Sequence, residues 1–248
     1  MIYYLYELLK DYNIPGMGMV QYISFRSGAA VILSLFITMA FGKKLILYLQ
    51  RKQIGEEIRD LGLEGQLQKK GTPTMGGIII LASIIIPTLL FAQLHNIYIL
   101  LMLITTTWLG MIGFADDYIK VFMKNKKGLA GKFKILGQVV LGLMVAATLL
   151  LSDEVVVREP LVSAKGESVE VMVEDQATGE RKLQEVTREV KSTKTTLPFI
   201  KNNEFDYAWL VGFAGKQASW LRWLVYALAI ILIITAVSNA ANLTDGLD

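Results

Sequence analysis

Residues 97–117 read IYILLMLITTTWLGMIGFADD, an apolar run that closes on two adjacent aspartates. The run 97–115 is long enough for a helix rising roughly 1.5 Å per residue to cross a hydrocarbon core of about 30 Å. Four further stretches of this kind lie near 25–47, 76–94, 135–151 and 221–241. Each supplies about 17 to 23 mostly apolar residues, the stretch 135–151 being the shortest. Hydrophobic residues make up 53% of the 248-residue chain and charged residues 19%, with the charges gathered in blocks rather than interspersed as on a soluble surface. The pattern predicts an all-α polytopic membrane protein with five transmembrane helices. Any one stretch could be a buried helix of a soluble domain, but five of them beside only 22 acidic side chains argue against that.

The first run is too long for the apolar segment of a signal peptide and leads into Lys43 and Lys44, so it reads as a retained span. Cysteine is absent, which removes disulfides and thiolate metal ligation, and the net charge of +3 says little. The placement of the positive charges says more. Lys43, Lys44, Arg51, Lys52, Arg59, Lys69 and Lys70 lie between the first two spans, and Lys120, Lys124, Lys126, Lys127, Lys132 and Lys134 between the third and fourth. The turn between the second and third carries none of them, only His95. By the positive-inside rule the two basic loops are cytoplasmic and the N-terminus extracytoplasmic. The expected organisation is helices one to four over 1–151, an extracytoplasmic insert over 152–219, and the fifth helix with the start of a cytoplasmic motif over 220–248.

In the insert, Val169, Val171 and Val173 alternate with other residues, and Ala177 to Glu180 supply a turn before Lys182 to Val190. That predicts a short antiparallel hairpin whose valines face inward. Trp209, Trp220 and Trp223 suit anchoring at the membrane interface. No catalytic role is expected of this segment.

Three chemical motifs meet at the predicted cytoplasmic face. The first, Lys69-Lys70-Gly71-Thr72-Pro73-Thr74-Met75-Gly76-Gly77, stands at the entry to the second span. Its glycines permit close backbone approach, and Lys69 and the hydroxyl of Thr74 are candidate donors to phosphate oxygens. A helix start adds exposed N–H groups, although a rigid loop-to-helix entry would account for the same residues. The second is Gly113-Phe114-Ala115-Asp116-Asp117-Tyr118. Two carboxylates beside hydrocarbon repel one another and lose hydration, so a proton, a lysine or a divalent cation should be near, with Mg²⁺ the natural cation. A solvated pair at a helix end is the plainer alternative, though the helix dipole disfavours it. The third, Asn239 to Asp248, places Asn242, Asp245 and Asp248 three residues apart, on one side of a helix or tight turn. The lysines from Lys120 to Lys134 read either as a lipid-headgroup stripe or as neutralisers of a polyanionic substrate, with Lys124 and Lys132 expected to face it.

Taken together, Lys69 to Gly77, Gly113 to Asp117 followed by Lys126-Lys127-Gly128-Leu129, and Asn242 to Asp248 closely resemble the bacterial phospho-N-acetylmuramoyl-pentapeptide-transferases, the translocase I family of polyprenyl-phosphate sugar-1-phosphate transferases. The resemblance covers roughly 25–151 and 205–248, and the insert looks larger than the family's usual external loop. It implies a ten-helix enzyme of the cytoplasmic membrane, about five of whose helices are present here. The reaction implied moves phospho-N-acetylmuramoyl-pentapeptide from UDP-MurNAc-pentapeptide to undecaprenyl phosphate, with Mg²⁺, giving lipid I and UMP. The implied catalytic residues are Asp116, as base or nucleophile, Asp117 beside it, and Asp245, with Asp116 and Asp117 also the implied metal-binding carboxylates. Lys69, Thr74, Lys124, Lys132, Asn242 and Asp248 would contact substrate, and a homodimer is a reasonable assembly.

The resemblance also implies helices, a further metal-binding aspartate and a histidine-rich loop beyond Asp248. The 248 residues are accordingly expected to be a fragment without transferase activity by themselves. A related enzyme using another UDP-amino sugar, such as an N-acetylglucosamine-1-phosphate transferase, would share the aspartates but matches the Lys69 to Gly77 motif less closely. A membrane transporter would place its charges near the midplane, whereas the second and fourth stretches contain none.

Overall fold

Helix α4 (Ile97–Val121) starts where the sequence supplies a cap. The Asn96 side chain accepts from the N–H groups of Tyr98 and Ile99 at 3.0 and 3.3 Å, satisfying two of the donors a helix start leaves free. The computed structural model describes residues 1–12, 14–51, 75–125, 127–161, 163, 169–174, 181–199, 203–214 and 219–247. Among these, α1 (Ile2–Leu9) is followed by α2 (Ile23–Arg51), α3 (Gly77–Phe91), α4, α5 (Gly131–Leu151), six short strands and α6 (Ser219–Leu247). Contacts divide the chain into two units, Met1–Leu141 and Gly142–Asp248.

Four of these helices are long and apolar enough to cross a membrane: Ile23–Arg51, Ile97–Val121, Gly131–Leu151 and Trp220–Thr244. The fifth predicted span, 76–94, contracts to the 15-residue α3, because Ala92 leaves the helix in an extended conformation. At roughly 1.5 Å per residue α3 reaches only about 22 Å. The stretch that looked shortest gains a turn instead, since α5 begins at Gly131 and takes Lys132 and Lys134 into its first turn.

Large apolar side chains such as Val31, Leu35, Phe36 and Met39 of α2 are exposed, while the buried apolar set is small. That inversion fits helices solvated by lipid tails, where burial between helices offers little gain and close packing of small residues matters instead. In the first unit Gly110 of α4 admits the Leu81 side chain of α3, and Gly137 of α5 admits Ile112 of α4, beside a Trp108 Nε1–H bond of 2.9 Å to the Gly137 carbonyl. At one end of this unit the Tyr4 hydroxyl meets His95 Nδ1 at 3.0 Å and accepts from the His95 N–H at 2.9 Å, tying α1 to the turn between α3 and α4. Arg26, buried in the first turn of α2, lays its guanidinium 4.7 Å from the Tyr3 ring centroid. At the other end Met75 is buried against Leu45 and Leu49 of α2 and Val121 of α4.

In the second unit the expected hairpin is present, with β2 (Glu170–Glu174) antiparallel to β3 (Arg181–Glu185), Met172 facing Leu183 in the register. The strand continues past Val186 as β4 (Thr187–Val190), which pairs with β1 (Val157–Pro160). Backbone bonds of 2.7–2.8 Å among Leu161, Val169 and Val186 join the two pairings into one ribbon. A further pair, β5 (Lys194–Thr196) with β6 (Glu204–Asp206), stands beside an eight-residue 3-10 segment, Tyr207–Ala214. Val169 and Val171 do not make an inward face, for both are exposed. Two-stranded ribbons have no second layer to bury against, so alternation here does not mark a core. What holds the segment instead is charge pairing. Lys194 bridges Glu159 at 2.9 Å and Glu204 at 3.3 Å, and Arg158 pairs with Glu189 across β1 and β4. Phe205, Tyr207, Tyr226 and Trp223 then form a run of edge-to-face rings leading onto α6, as interfacial aromatics should.

Candidate active site

Phe114, Tyr118 and Phe122 recur every four residues and stack along one exposed stripe of α4, with centroids 6.1 and 4.8 Å apart. Asp116 is two residues out of phase with that stripe, so the helix turns it to the opposite side. It is 6% exposed there. A buried carboxylate in the last turns of a helix faces two penalties, loss of hydration and the negative end of the helix dipole. Three donors offset them. Lys120, one turn on, places Nζ 2.9 Å from Oδ2; Lys134 of α5 places Nζ 3.0 Å from Oδ1; and the Leu129 N–H donates to the same Oδ1 at 2.7 Å.

The loop that delivers Leu129 is built locally. Lys124 takes a left-handed conformation at φ 51° just past the helix end, and the Asn125 N–H reaches back to the Ile119 carbonyl. The Asn125 side chain accepts from the Lys127 N–H at 3.1 Å, and its carbonyl accepts from the Gly128 N–H at 2.9 Å. Gly128 is itself left-handed at φ 65°, and an added Cβ there would fall on Asp116 Oδ1 and within 2.8 Å of Lys120 Cε. The backbone thus passes directly over the carboxylate.

Of the lysine stretch expected to neutralise charge, Lys120 and Lys134 are the two that meet Asp116. Lys124 is exposed on the loop, and Lys132 points its ammonium towards the Phe133 ring, 5.3 Å from the centroid. The spacing of Lys120 four residues after Asp116 was a readable signal, since such pairs are neighbours on a helix. Lys134 was not readable, because only the turn-back of α5 against α4 brings it there. Asp117 follows on α4 and also has an interaction partner. Lys69, Thr74 and Asp248 lie outside the described residues. The buried Met75, next to the first motif's closing glycines, nonetheless packs on Val121, so the end of that motif and the end of α4 adjoin. Asn242 is exposed on α6 in the second unit, and Asp245 follows three residues later on the same helix.

As a cation site this arrangement is poor at Asp116. Mg²⁺ needs free carboxylate oxygens in near-octahedral geometry, and both Asp116 oxygens already meet ammonium groups. Among the described residues no three His, Asp or Glu side chains gather as metal ligands. The geometry instead makes a shielded carboxylate with two lysine ammonium groups beside it, groups that also pair with phosphate oxygens.

Residues 69–81 match the model for phospho-N-acetylmuramoyl-pentapeptide-transferase signature 1. Curated relatives bearing the name phospho-N-acetylmuramoyl-pentapeptide-transferase match along the whole chain. The protein from Parabacteroides distasonis is 56% identical over 248 residues, which is 100% of this chain and 57% of the relative. That from Flavobacterium psychrophilum is 51% identical over 249 residues, 100% of this chain and 59% of its own length. That from Porphyromonas gingivalis is 50% identical over 248 residues, 100% of this chain and 57% of its own length. The chain therefore spans a little over half the length of these relatives. The match at residues 69–81 and the 50–56% identity along the whole of this chain make it closely similar to phospho-N-acetylmuramoyl-pentapeptide-transferases over a little more than half of their length.

Proposed function

We propose that the chain forms part of an integral-membrane enzyme that transfers phospho-N-acetylmuramoyl-pentapeptide from UDP-MurNAc-pentapeptide to undecaprenyl phosphate, giving lipid I and UMP. The observation that carries this reading is the buried Asp116 with Lys120 and Lys134 converging on it, in a chain 56% identical to a curated relative named for that transfer. The membrane would be the bacterial cytoplasmic membrane, with the N-terminus outside and the Asp116 end of α4 at the cytoplasmic surface. The two basic loops support that orientation.

Both reactants are phosphorylated, so the acceptor phosphate must approach a diphosphate against like charge. Lys120 and Lys134 can lower that repulsion by moving from the carboxylate to phosphate oxygens, which carry more charge than Asp116 alone. Their departure would uncover Asp116 at the moment substrate is in place. The freed carboxylate would then either take a proton from the lipid phosphate, which displaces UMP directly, or attack the sugar-linked phosphorus with loss of UMP and be displaced in turn by the lipid phosphate. Lys69, Thr74, Lys124 and Lys132 would add donors around the nucleotide side, and Asn242, Asp245 and Asp248 are the further polar residues that the family resemblance assigns to substrate and catalysis. Mg²⁺, which the family resemblance implies, would supply charge neutralisation of the pyrophosphate, with Asp117 as the carboxylate of this pair assigned to hold it. A homodimer is the proposed assembly.

The test is UMP release by the full-length polypeptide reconstituted in lipid. Asp116→Asn keeps the side-chain shape and should lower turnover by about 10²-fold or more. Turnover within a few-fold of the unmodified protein would refute the assignment.

A further inference from the structure

We propose that Gly128 is a positioning residue for Asp116: its left-handed backbone and missing side chain let the 122–130 loop close on the carboxylate, and nothing larger fits. Two independent observations meet at this residue. The first is conformational, for φ is 65°, a region glycine enters freely and residues with a side chain enter only at a cost. The second is contact, for an added Cβ would clash with Asp116 Oδ1 and lie 2.8 Å from Lys120 Cε. Backbone flexibility alone would not select this site, since Gly113 and Gly131 nearby have nothing within 4 Å of an added Cβ.

The consequence follows from what the next residue does. The Leu129 N–H donates to Asp116 Oδ1 at 2.7 Å, and the same oxygen receives Lys134 at 3.0 Å. A side chain at 128 must push either the loop or the carboxylate away. Moving the loop breaks the Leu129 bond. Moving the carboxylate breaks the convergence of the two lysines. Gly128 therefore sets where the Asp116 oxygens stand and how tightly the loop carrying Lys124 and Lys127 is latched to the helix end. This rests on the proposed transferase reading only for its catalytic consequence; the latch itself is a property of the fold.

The 248 residues contain no cysteine, and the same polypeptide without the introduced thiol serves as the labelling blank. Leu129→Cys keeps the backbone N–H and puts the thiol on the half-buried latch residue. In the full-length polypeptide in lipid, maleimide labelling at 129 should rise about five- to thirtyfold on adding Gly128→Ala, the ratio expected for losing a modest latch. Asp116→Ala, which removes the acceptor and the oxygen that the new Cβ would meet, should raise labelling similarly by itself. With both changes present the increase should be no larger than with either one, because they act on one contact. Unchanged labelling in Gly128→Ala, or effects that simply multiply, overturns the proposal, since multiplication would indicate backbone strain unrelated to Asp116. In the transfer assay Gly128→Ala should lower kcat by about ten- to a hundredfold while KM for the sugar nucleotide shifts little. A rise in KM with kcat intact would equally overturn positioning through Asp116. If the unmodified protein shows no transfer, the functional reading fails while the labelling still decides the latch.

Discussion

Lys134, in the first turn of α5, reaches across the loop to place its ammonium 3.0 Å from Asp116 Oδ1, while Lys120 on the same helix as Asp116 takes the other oxygen at 2.9 Å. The two pairs are not equivalent. Lys134 is 20% exposed and Lys120 38%, so solvent screens the second more.

Removing them should therefore cost unequally. Lys134→Met is expected to destabilise the first unit by about 1–3 kcal/mol, because it leaves a buried carboxylate short of a donor and unlinks α5 from α4. Lys120→Met should cost less than about 1 kcal/mol, as exposed helix pairs do. Reversible unfolding in mixed detergent measures both, and a larger loss at Lys120 would contradict the ranking.

Gly142 of α5 tests the packing of the second unit. A Cβ there would stand 2.9 Å from the Ile231 Cα of α6, a backbone atom that cannot rotate away. Gly142→Val should cost about 1–3 kcal/mol by forcing the helices apart. Gly28→Ala in α2, where an added Cβ meets nothing within 4 Å, should instead stabilise by about 0.5–1 kcal/mol. Opposite signs in one thermal-shift experiment are the expected result.

The Asn96 cap predicts a third effect. Asn96→Ala removes the acceptor of the Tyr98 and Ile99 N–H groups at the start of α4 and should cost about 1 kcal/mol. Asn96→Asp, which keeps an acceptor and favours the helix dipole, should restore most of it. Amide exchange at Tyr98 and Ile99 provides the readout, with faster exchange expected only in the alanine variant.

The strand segment of the second unit should weaken at high pH. Hydrogen bonds to Glu159 and then Glu204 raise the Lys194 ammonium above its ordinary value of 10.5. A folded pKa above the unfolded one means the folded form holds the proton more tightly. Its contribution is fully present below the unfolded pKa of about 10.4 and disappears as pH rises through the higher folded value. Lys194 is half-buried with its ammonium still reached by solvent, so screening keeps the effect a modest one. Protease susceptibility of the 181–206 region, followed as pH passes about 10 to 11, should increase in the unmodified protein and change less in Lys194→Met.

Much of this was already legible in the residues. The helix α4 is written in 97–115 by length and hydropathy, and the hairpin of β2 and β3 by alternation around a turn, because both patterns follow from local backbone geometry. The shortening of α3 was not, since nothing apolar distinguishes Ala92 and Gln93 from a helix continuing; the turn to Asn96 ends it. The exposed faces of Val169 and Val171 were misread for a related reason, as alternation reports a strand and not whether a second layer covers it.

At the site, the chain alone determined that two aspartates end an apolar helix, that lysines follow, and that the motif Lys69 to Gly77 precedes them. Periodicity and composition suffice for that, being properties of neighbours in sequence. Which lysines meet Asp116, that Leu129 offers its N–H, and that Gly128 leaves the room for it were decided only when α5 folded back against α4. Those contacts join residues 12 to 18 positions apart through a loop whose left-handed turns at Lys124 and Gly128 set the path. Their energies depend on distances of a few tenths of an ångström, and no pattern of residue types carries that information.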